Sequence, residues 1–308
     1  LPCITRTLKS QNDVLQGNYR LDTETAPIAL FAYNRPLHTR KTVEALQRNS
    51  LAADSRLIIY SDAPKDDSTS HKVAEVRDYI RSVKGFRDVT VVERETNHGL
   101  AKSIISGVSD INREYGSVIV LEDNIVTSPY FLKFMNEALA QFRHQDAVWH
   151  ISGWNYPIKS RNPKETFLWR VMNCWGWATW ANRWDHFDKD APRLIREWDR
   201  KRIKRFNLDG AVNFWNQVEA NNRGEINTWA IFWYATIFEQ GGLCLNPSRT
   251  LVDNIGHDGQ GVHCGNNKPY VDDLNPEDTL IFPTATSEST YYLETIKRHL
   301  DKPMIQKI

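Results

Sequence analysis

Val118-Ile119-Val120-Leu121-Glu122-Asp123-Asn124 decides the fold: a short continuous apolar run that stops at once on two acids and an asparagine. A strand covered on both faces of a parallel sheet is apolar throughout, and a run this short is bounded too closely to be a buried helix. The same pattern recurs upstream at Val89–Val92, Leu57–Tyr60 and Ile28–Tyr33. Each run ends on turn chemistry: Asn97-His98-Gly99, Ser61-Asp62-Ala63-Pro64 and Asn34-Arg35-Pro36. Between them, residues 38–49, 70–83 and 100–113 carry apolar side chains at helical spacing. Strands alternating with helices of this length predict βαβ units with right-handed crossovers, hence an α/β fold with a mostly parallel central sheet flanked by helices.

Ligands of such sheets bind beyond the carboxyl ends of the strands. No GxGxxG follows the first strand and no GxxxxGK[ST] is present, so neither the usual dinucleotide site nor a P-loop is expected. Strand ends that carry acids in place of a glycine cradle can meet a diphosphate through a divalent cation, Mn²⁺ or Mg²⁺, held by carboxylates.

Downstream of Asn124, residues 129–142 read as an amphipathic helix, 148–152 as a strand, 212–219 and 230–238 as helices, and 241–247 as a turn and short strand. Residues 254–265 form a loop rich in glycine and histidine, and 288–300 a terminal helix. All eleven tryptophans lie between Trp149 and Trp233. Trp169, Trp198, Trp215 and Trp233 read as core. Trp154, Trp175 and Trp177, beside Asn155 and Gly176, suit a pocket in which indole faces stack on a sugar.

Composition narrows the class. With 41% hydrophobic residues the chain is not disordered, and 39 basic against 38 acidic side chains leave no basic excess for a phosphate-driven nucleic-acid binder. No apolar run reaches the length of a membrane span, and the amino end does not read as a signal peptide. Four cysteines without metal spacing, and no Asn-x-Ser/Thr sequon with a permitted middle residue, suit the cytoplasm. Peripheral contact with the inner face of the membrane stays open, and nothing in the sequence speaks to oligomeric state.

Four segments in order form a series: Leu121-Glu122-Asp123-Asn124, Ser152-Gly153-Trp154-Asn155, Trp175-Gly176-Trp177 and Gly261-Val262-His263. Over residues 27–265 the chain resembles GT-A fold glycosyltransferases, specifically bacterial chains similar to N-acetylglucosaminyltransferase I. The resemblance implies transfer of a GlcNAc-like sugar from a UDP-sugar to a hydroxyl of a glycan acceptor, inverting and metal-assisted, in building a bacterial surface polysaccharide. Asp62 is then similar to the acid that reads the uracil edge, although Asp-Ala-Pro also suits an N-cap or Asx-turn. Glu122 and Asp123 match residues near the donor's ribose and sugar in the DxD motif. Asn124 stands where the family's metal-binding aspartate would be, as a natural variant, a metal-independent form or an engineered change. His257 and His263 offer imidazoles to the metal or diphosphate.

The remaining donor contacts are expected from Tyr33, Asn34 and Arg35 after the first strand, and from Lys102 at the next helix start. The family's acidic pair before a tryptophan looks like Asn227-Thr228-Trp229, which holds no acid, and Glu225 is the nearest carboxylate for a general base. Residues 1–26 read as an arm, 27–275 as one domain (27–124 nucleotide-binding, 125–275 acceptor-side) and 276–308 as a helical tail. Three other readings remain: a nucleotide-sugar binder without catalysis, a lectin-like protein using the tryptophans alone, and a glycoside hydrolase, which would need two facing carboxylates.

Overall fold

The five residues of β1 (Ile28–Ala32) are all buried, as a central strand requires. The computed structural model describes residues 25–257 and 273–301. After β1 come α1 (Pro36–Gln47), β2 (Arg56–Ser61), α2 (Asp67–Arg81), β3 (Asp88–Glu93), α3 (Gly99–Tyr115) and β4 (Ser117–Glu122). The four strands pair in parallel in the order β3-β2-β1-β4. Right-handed crossovers put α1 and α2 on one face; α3, which carries the chain back across β2 and β1, lies on the other. Pro36 presets the first turn of α1, so that helix begins two residues before the spacing of apolar residues predicts.

The chain continues through β5 (Ile125–Thr127), α4 (Phe131–Phe142), β6 (Val148–Ser152), β7 (Thr166–Trp169) and β8 (Trp177–Trp180). Then follow α5 (Ala181–Trp184), α6 (Ala191–Glu197), α7 (Arg200–Phe206), α8 (Trp215–Asn222), α9 (Ala230–Glu239), β9 (Leu243–Pro247), β10 (Val252–Asn254) and α10 (Thr290–Leu300). The main sheet has eight strands in the order β3-β2-β1-β4-β8-β6-β9-β7. It therefore crosses from the tryptophan-free to the tryptophan-rich half without a break. β8 is antiparallel to both β4 and β6, β9 is parallel to β6, and β7 is antiparallel to β9. A separate two-stranded sheet joins β5 to β10.

β7 and β8 carry no strand pattern of their own in the tryptophan region. Trp177-Ala178-Thr179-Trp180 is four residues long and interrupted by a hydroxyl, so it does not read as a core strand. In the fold the Thr179 hydroxyl donates to the Trp149 carbonyl at 2.8 Å, which lets the strand be wholly buried. The terminal helix packs on the sheet: Tyr292 of α10 stacks on Phe167 of β7 with ring centroids 4.0 Å apart. Among the described residues no helix is long and apolar enough to cross a membrane.

Candidate functional site

Register brings the strand-end residues together. Phe31 of β1 lies opposite Glu122 of β4, so Tyr33 and Asp123 emerge side by side at the carboxyl end of the sheet. The Tyr33 amide donates to Asp123 Oδ2 at 3.2 Å, and the Thr42 hydroxyl of α1 donates to the Asp123 carbonyl at 2.9 Å. Asp123 is buried, and burial pushes its carboxyl up to about 6 against the opposing pull of the Arg35 charge, the Tyr33 amide and His38. Glu122 is pushed up to about 7, first by desolvation and then by the adjacent Asp123, with Arg35 again opposing. Two neighbouring acids are thus both raised chiefly by desolvation, with the Arg35 charge only partly opposing it.

Asn124 has a second partner set that no local pattern shows. Its Nδ2 donates to Asn254 Oδ1 at 3.1 Å, and Asn254 Oδ1 also accepts the Gly256 amide at 2.9 Å. That shared acceptor fixes both amide orientations and leaves Asn124 Oδ1 buried without a hydrogen bond. The Ile255 amide donates to the Asn124 carbonyl at 3.0 Å, and His38 Nε2 meets the Ile255 carbonyl at 3.2 Å. A Cβ on Gly256 would overlap Asn124 Nδ2 and crowd Arg35 Nη1 at 3.0 Å, so only glycine lets this segment close over Arg35 and Asn124. His38, Asn254 and Gly256 thus join the site. Asn254 and Gly256 lie in the loop the sequence marks as glycine-rich, whereas His38 carries no local signal.

Asp62 is committed to the backbone. Its Oδ1 accepts from Ala63 N at 3.0 Å and His98 N at 2.9 Å, and its Oδ2 from Gly99 N at 2.8 Å. A carboxylate on these amides stabilises the amino end of α3 through both hydrogen bonds and the helix dipole. Asp62 therefore caps a helix, as its turn chemistry allows, but one lying 37 residues downstream. Asn97 Nδ2 adds a bond to the Ala63 carbonyl at 2.6 Å. Tyr33 Oη accepts the Lys65 amide at 3.0 Å and contacts Thr69 Oγ1 at 3.3 Å, tying the β1 end to α2. Arg35 and Asn34 are half-buried at the mouth, and Lys102 is exposed on the first turn of α3.

The residues expected to line a sugar pocket divide sharply. Trp177 is 1% exposed, clamped between His150 (5.3 Å) and Trp229 (5.1 Å), which leaves no ring face for a sugar. Asn155 is buried, donating to the Ser248 carbonyl and accepting the Tyr156 amide. Trp154 is also buried, edge-on to Trp175 at 4.8 Å. Gly176 has φ +57° and sits where a Cβ would press on Val252 and Phe131. Trp175 is half-buried and meets the His257 ring at 5.4 Å, so of the three tryptophans it alone keeps surface beside the loop. Glu225 is exposed and spends both oxygens on Arg223, at 2.6 and 2.9 Å, which holds its carboxyl below the ordinary value. Asn227 is exposed, and its Oδ1 accepts from Lys189 Nζ. Gly261, Val262 and His263 lie outside the described residues.

The strand-end acids, the α/β sheet and the motif order converge on one family, and the GNT-I family model matches residues 5–207. The chain belongs to the GNT-I family. Membership makes it a glycosyltransferase-family chain, with the α/β GT-A architecture that the motif order implies. No curated protein matches its sequence significantly. Among solved structures it is similar to the mannosyltransferase PcManGT from Pyrobaculum calidifontis, in complex with GDP-Man and Mn²⁺, at 11% identity and a TM-score of 0.38, covering 68% of this chain and 69% of that one. It is also similar to S. aureus TarS at 15% identity and a TM-score of 0.31, covering 46% of this chain but only 24% of TarS.

Proposed function

We propose that this GNT-I family chain transfers a sugar from a nucleoside-diphosphate donor, a UDP-sugar of the GlcNAc type, to a hydroxyl of a glycan acceptor with inversion, in cytoplasmic assembly of a bacterial surface polysaccharide. The observation that carries the reading is the half-buried Glu122 and buried Asp123 at a parallel-sheet switch point beside Arg35, next to an Asn124 over which the 254–256 segment closes. Arg35 and Lys102 meet the diphosphate, the first as a planar fork and the second from a helix amino end. Asp62 holds the 97–99 turn in the shape that faces the base, and Trp175 with His257 borders the sugar side.

A divalent cation fits only sparsely. Among the described residues no cluster of three histidine, cysteine, aspartate or glutamate side chains is present. Asp123 and the unpartnered Asn124 Oδ1 are the oxygens that would hold it, which suits an ion completing its shell with water and phosphate. When bound, such an ion supplies charge to the leaving diphosphate.

For the acceptor proton, Glu225 lies beside the Asn227-Thr228-Trp229 segment and must part from Arg223 to act. Glu122, pushed up to about 7, is the stronger base at neutral pH. One observation favours a second reading, donor binding without turnover: the family's aspartate position is an asparagine integrated into the Asn254 pair. Thermal melts with UDP-, GDP-, CMP- and TDP-sugars, with and without Mn²⁺, test the proposal. A rise with UDP-sugars and turnover with an acceptor glycan support transfer. A rise without turnover supports the binder, and no rise with any nucleotide sugar refutes both.

A further inference from the structure

Five of the seven residues of α7 are basic, and none is acidic, in a chain whose net charge is only +1. The inner side of the helix is anchored: Phe206 is fully buried, Ile203 packs on the core, and Arg202 lies over the Trp198 ring at 4.6 Å and reaches Glu239 at 3.5 Å. The outer side carries Arg200, Lys201, Lys204 and Arg205, all exposed. Arg200–Lys204 and Lys201–Arg205 are spaced i,i+4, where like charges repel and weaken a helix.

The nearby acids do not pair with these four outer cations: Glu239 reaches only Arg202 on this helix, and the others are turned elsewhere. Asp199 caps α7 by accepting the Arg202 amide at 2.7 Å. Glu239 holds Arg193 at 2.7 Å and the Trp198 indole N–H at 2.9 Å. Asp209 holds Arg170 at 3.0 Å and Lys297 at 3.5 Å.

We propose that the outer face of α7 docks the protein on an anionic lipid surface. Cations that repel one another on the free protein gain a shared counter-charge there. A polynucleotide fits less well, since the aromatic rings of this region, Trp198 and Phe206, are buried and give no stacking platform for bases. A basic patch by itself gives reversible attachment. It does not depend on the donor or acceptor proposed above.

Vesicle co-sedimentation of the whole chain tests this. Phosphatidylcholine vesicles with about a third phosphatidylglycerol should pull down the protein at ~0.1 M salt, pure phosphatidylcholine should not, and high salt should release it. Each cation near an anionic leaflet contributes roughly fivefold in affinity, so the quadruple variant R200E/K201E/K204E/R205E should lose binding more than a hundredfold. The double variant K72E/K84E, changed on the other half of the molecule, should bind as the parent does. Should the quadruple variant fail to fold by circular dichroism, the neutral pair R200Q/K204Q serves, with an expected loss of about twentyfold. Absence of binding to anionic vesicles, equal binding by the charge variants, or retention only on double-stranded DNA would each overturn the proposal.

Discussion

The two halves of the sheet handle polar groups in opposite ways. At the ends of β2 and β4 the chain places carboxylates and leaves two of them, Glu122 and Asp123, poorly compensated in a low-dielectric site. Around β6 to β9 it buries large aromatics and gives their N–H groups partners: Trp169 to Asn246, Trp184 to Ser109, Trp233 to His150 and Trp198 to Glu239. A satisfied aromatic half can serve as a rigid wall, while desolvated carboxylates with raised pKa values mark a candidate ligand site. The tryptophan-rich segment thus acts mostly as scaffold, with Trp175 at its edge.

The largest test of this contrast is Trp177→Ala. Removing a fully buried indole from between His150 and Trp229 should cost roughly 3–5 kcal/mol in urea unfolding. If Trp177 were a sugar platform instead, stability would hold and only glycan binding would fall. Next is Asp62→Ala, which strips the acceptor from three backbone amides and should cost about 2–3 kcal/mol along with donor binding. A normal melting temperature with lost nucleotide binding would return Asp62 to a purely base-reading role.

Titration should separate the halves by sign. Glu122 and Asp123 have raised pKa values in the fold, so their share of stability is present below their ordinary 4.5 and 3.8 and is lost as pH rises through about 7 and about 6, respectively. His150 runs the other way: burial lowers it from 6.5 to about 3, so its share is present above 6.5 and is lost as pH falls toward 3. Its neutral tautomer follows from its partners, since the Trp233 indole donates to Nδ1 and Nε2 must donate to the Asn173 carbonyl. Urea midpoints between pH 4 and 8 should flatten on the alkaline side in Glu122→Gln and on the acid side in His150→Gln. Both variants keeping the parent profile would remove the contrast.

Asn124→Asp is a smaller and sharper change. An aspartate oxygen facing Asn254 Oδ1 forces that amide to turn and give up the Gly256 N–H, a loss of about 1–2 kcal/mol. Mn²⁺ should restore part of the melting temperature in the variant by binding the new carboxylate. An unchanged melting temperature without metal would mean that Asn254 does not select an amide at this position. Smallest of all is Glu225→Gln, where the exposed Arg223 pair should leave melting unaltered. Its effect on transfer, compared with Glu122→Gln, decides which carboxylate takes the acceptor proton.

Much of the tryptophan-free half was legible because its logic is local. Continuous apolar runs mark buried parallel strands, and the turn residues after each run mark where the strand stops. The aromatic half was less legible, since β7 and β8 are short and their burial depends on partners such as Trp149 and Asn246 brought in by other strands. At the site, the acids could be named from the sequence but not their company. Asn124 meets Asn254 across 130 residues, and His38 meets Ile255 across 217.

By itself the sequence determined the α/β alternation and the family, because periodicity and short motifs are carried by neighbouring residues. Only the tertiary structure decided that Asp62 caps α3, that Trp177 and Asn155 are interior, and that Asn124 is paired as an amide. The physical reason is that hydrogen-bond satisfaction and desolvation depend on which groups the fold brings within about 3 Å, and those groups come from distant parts of the chain.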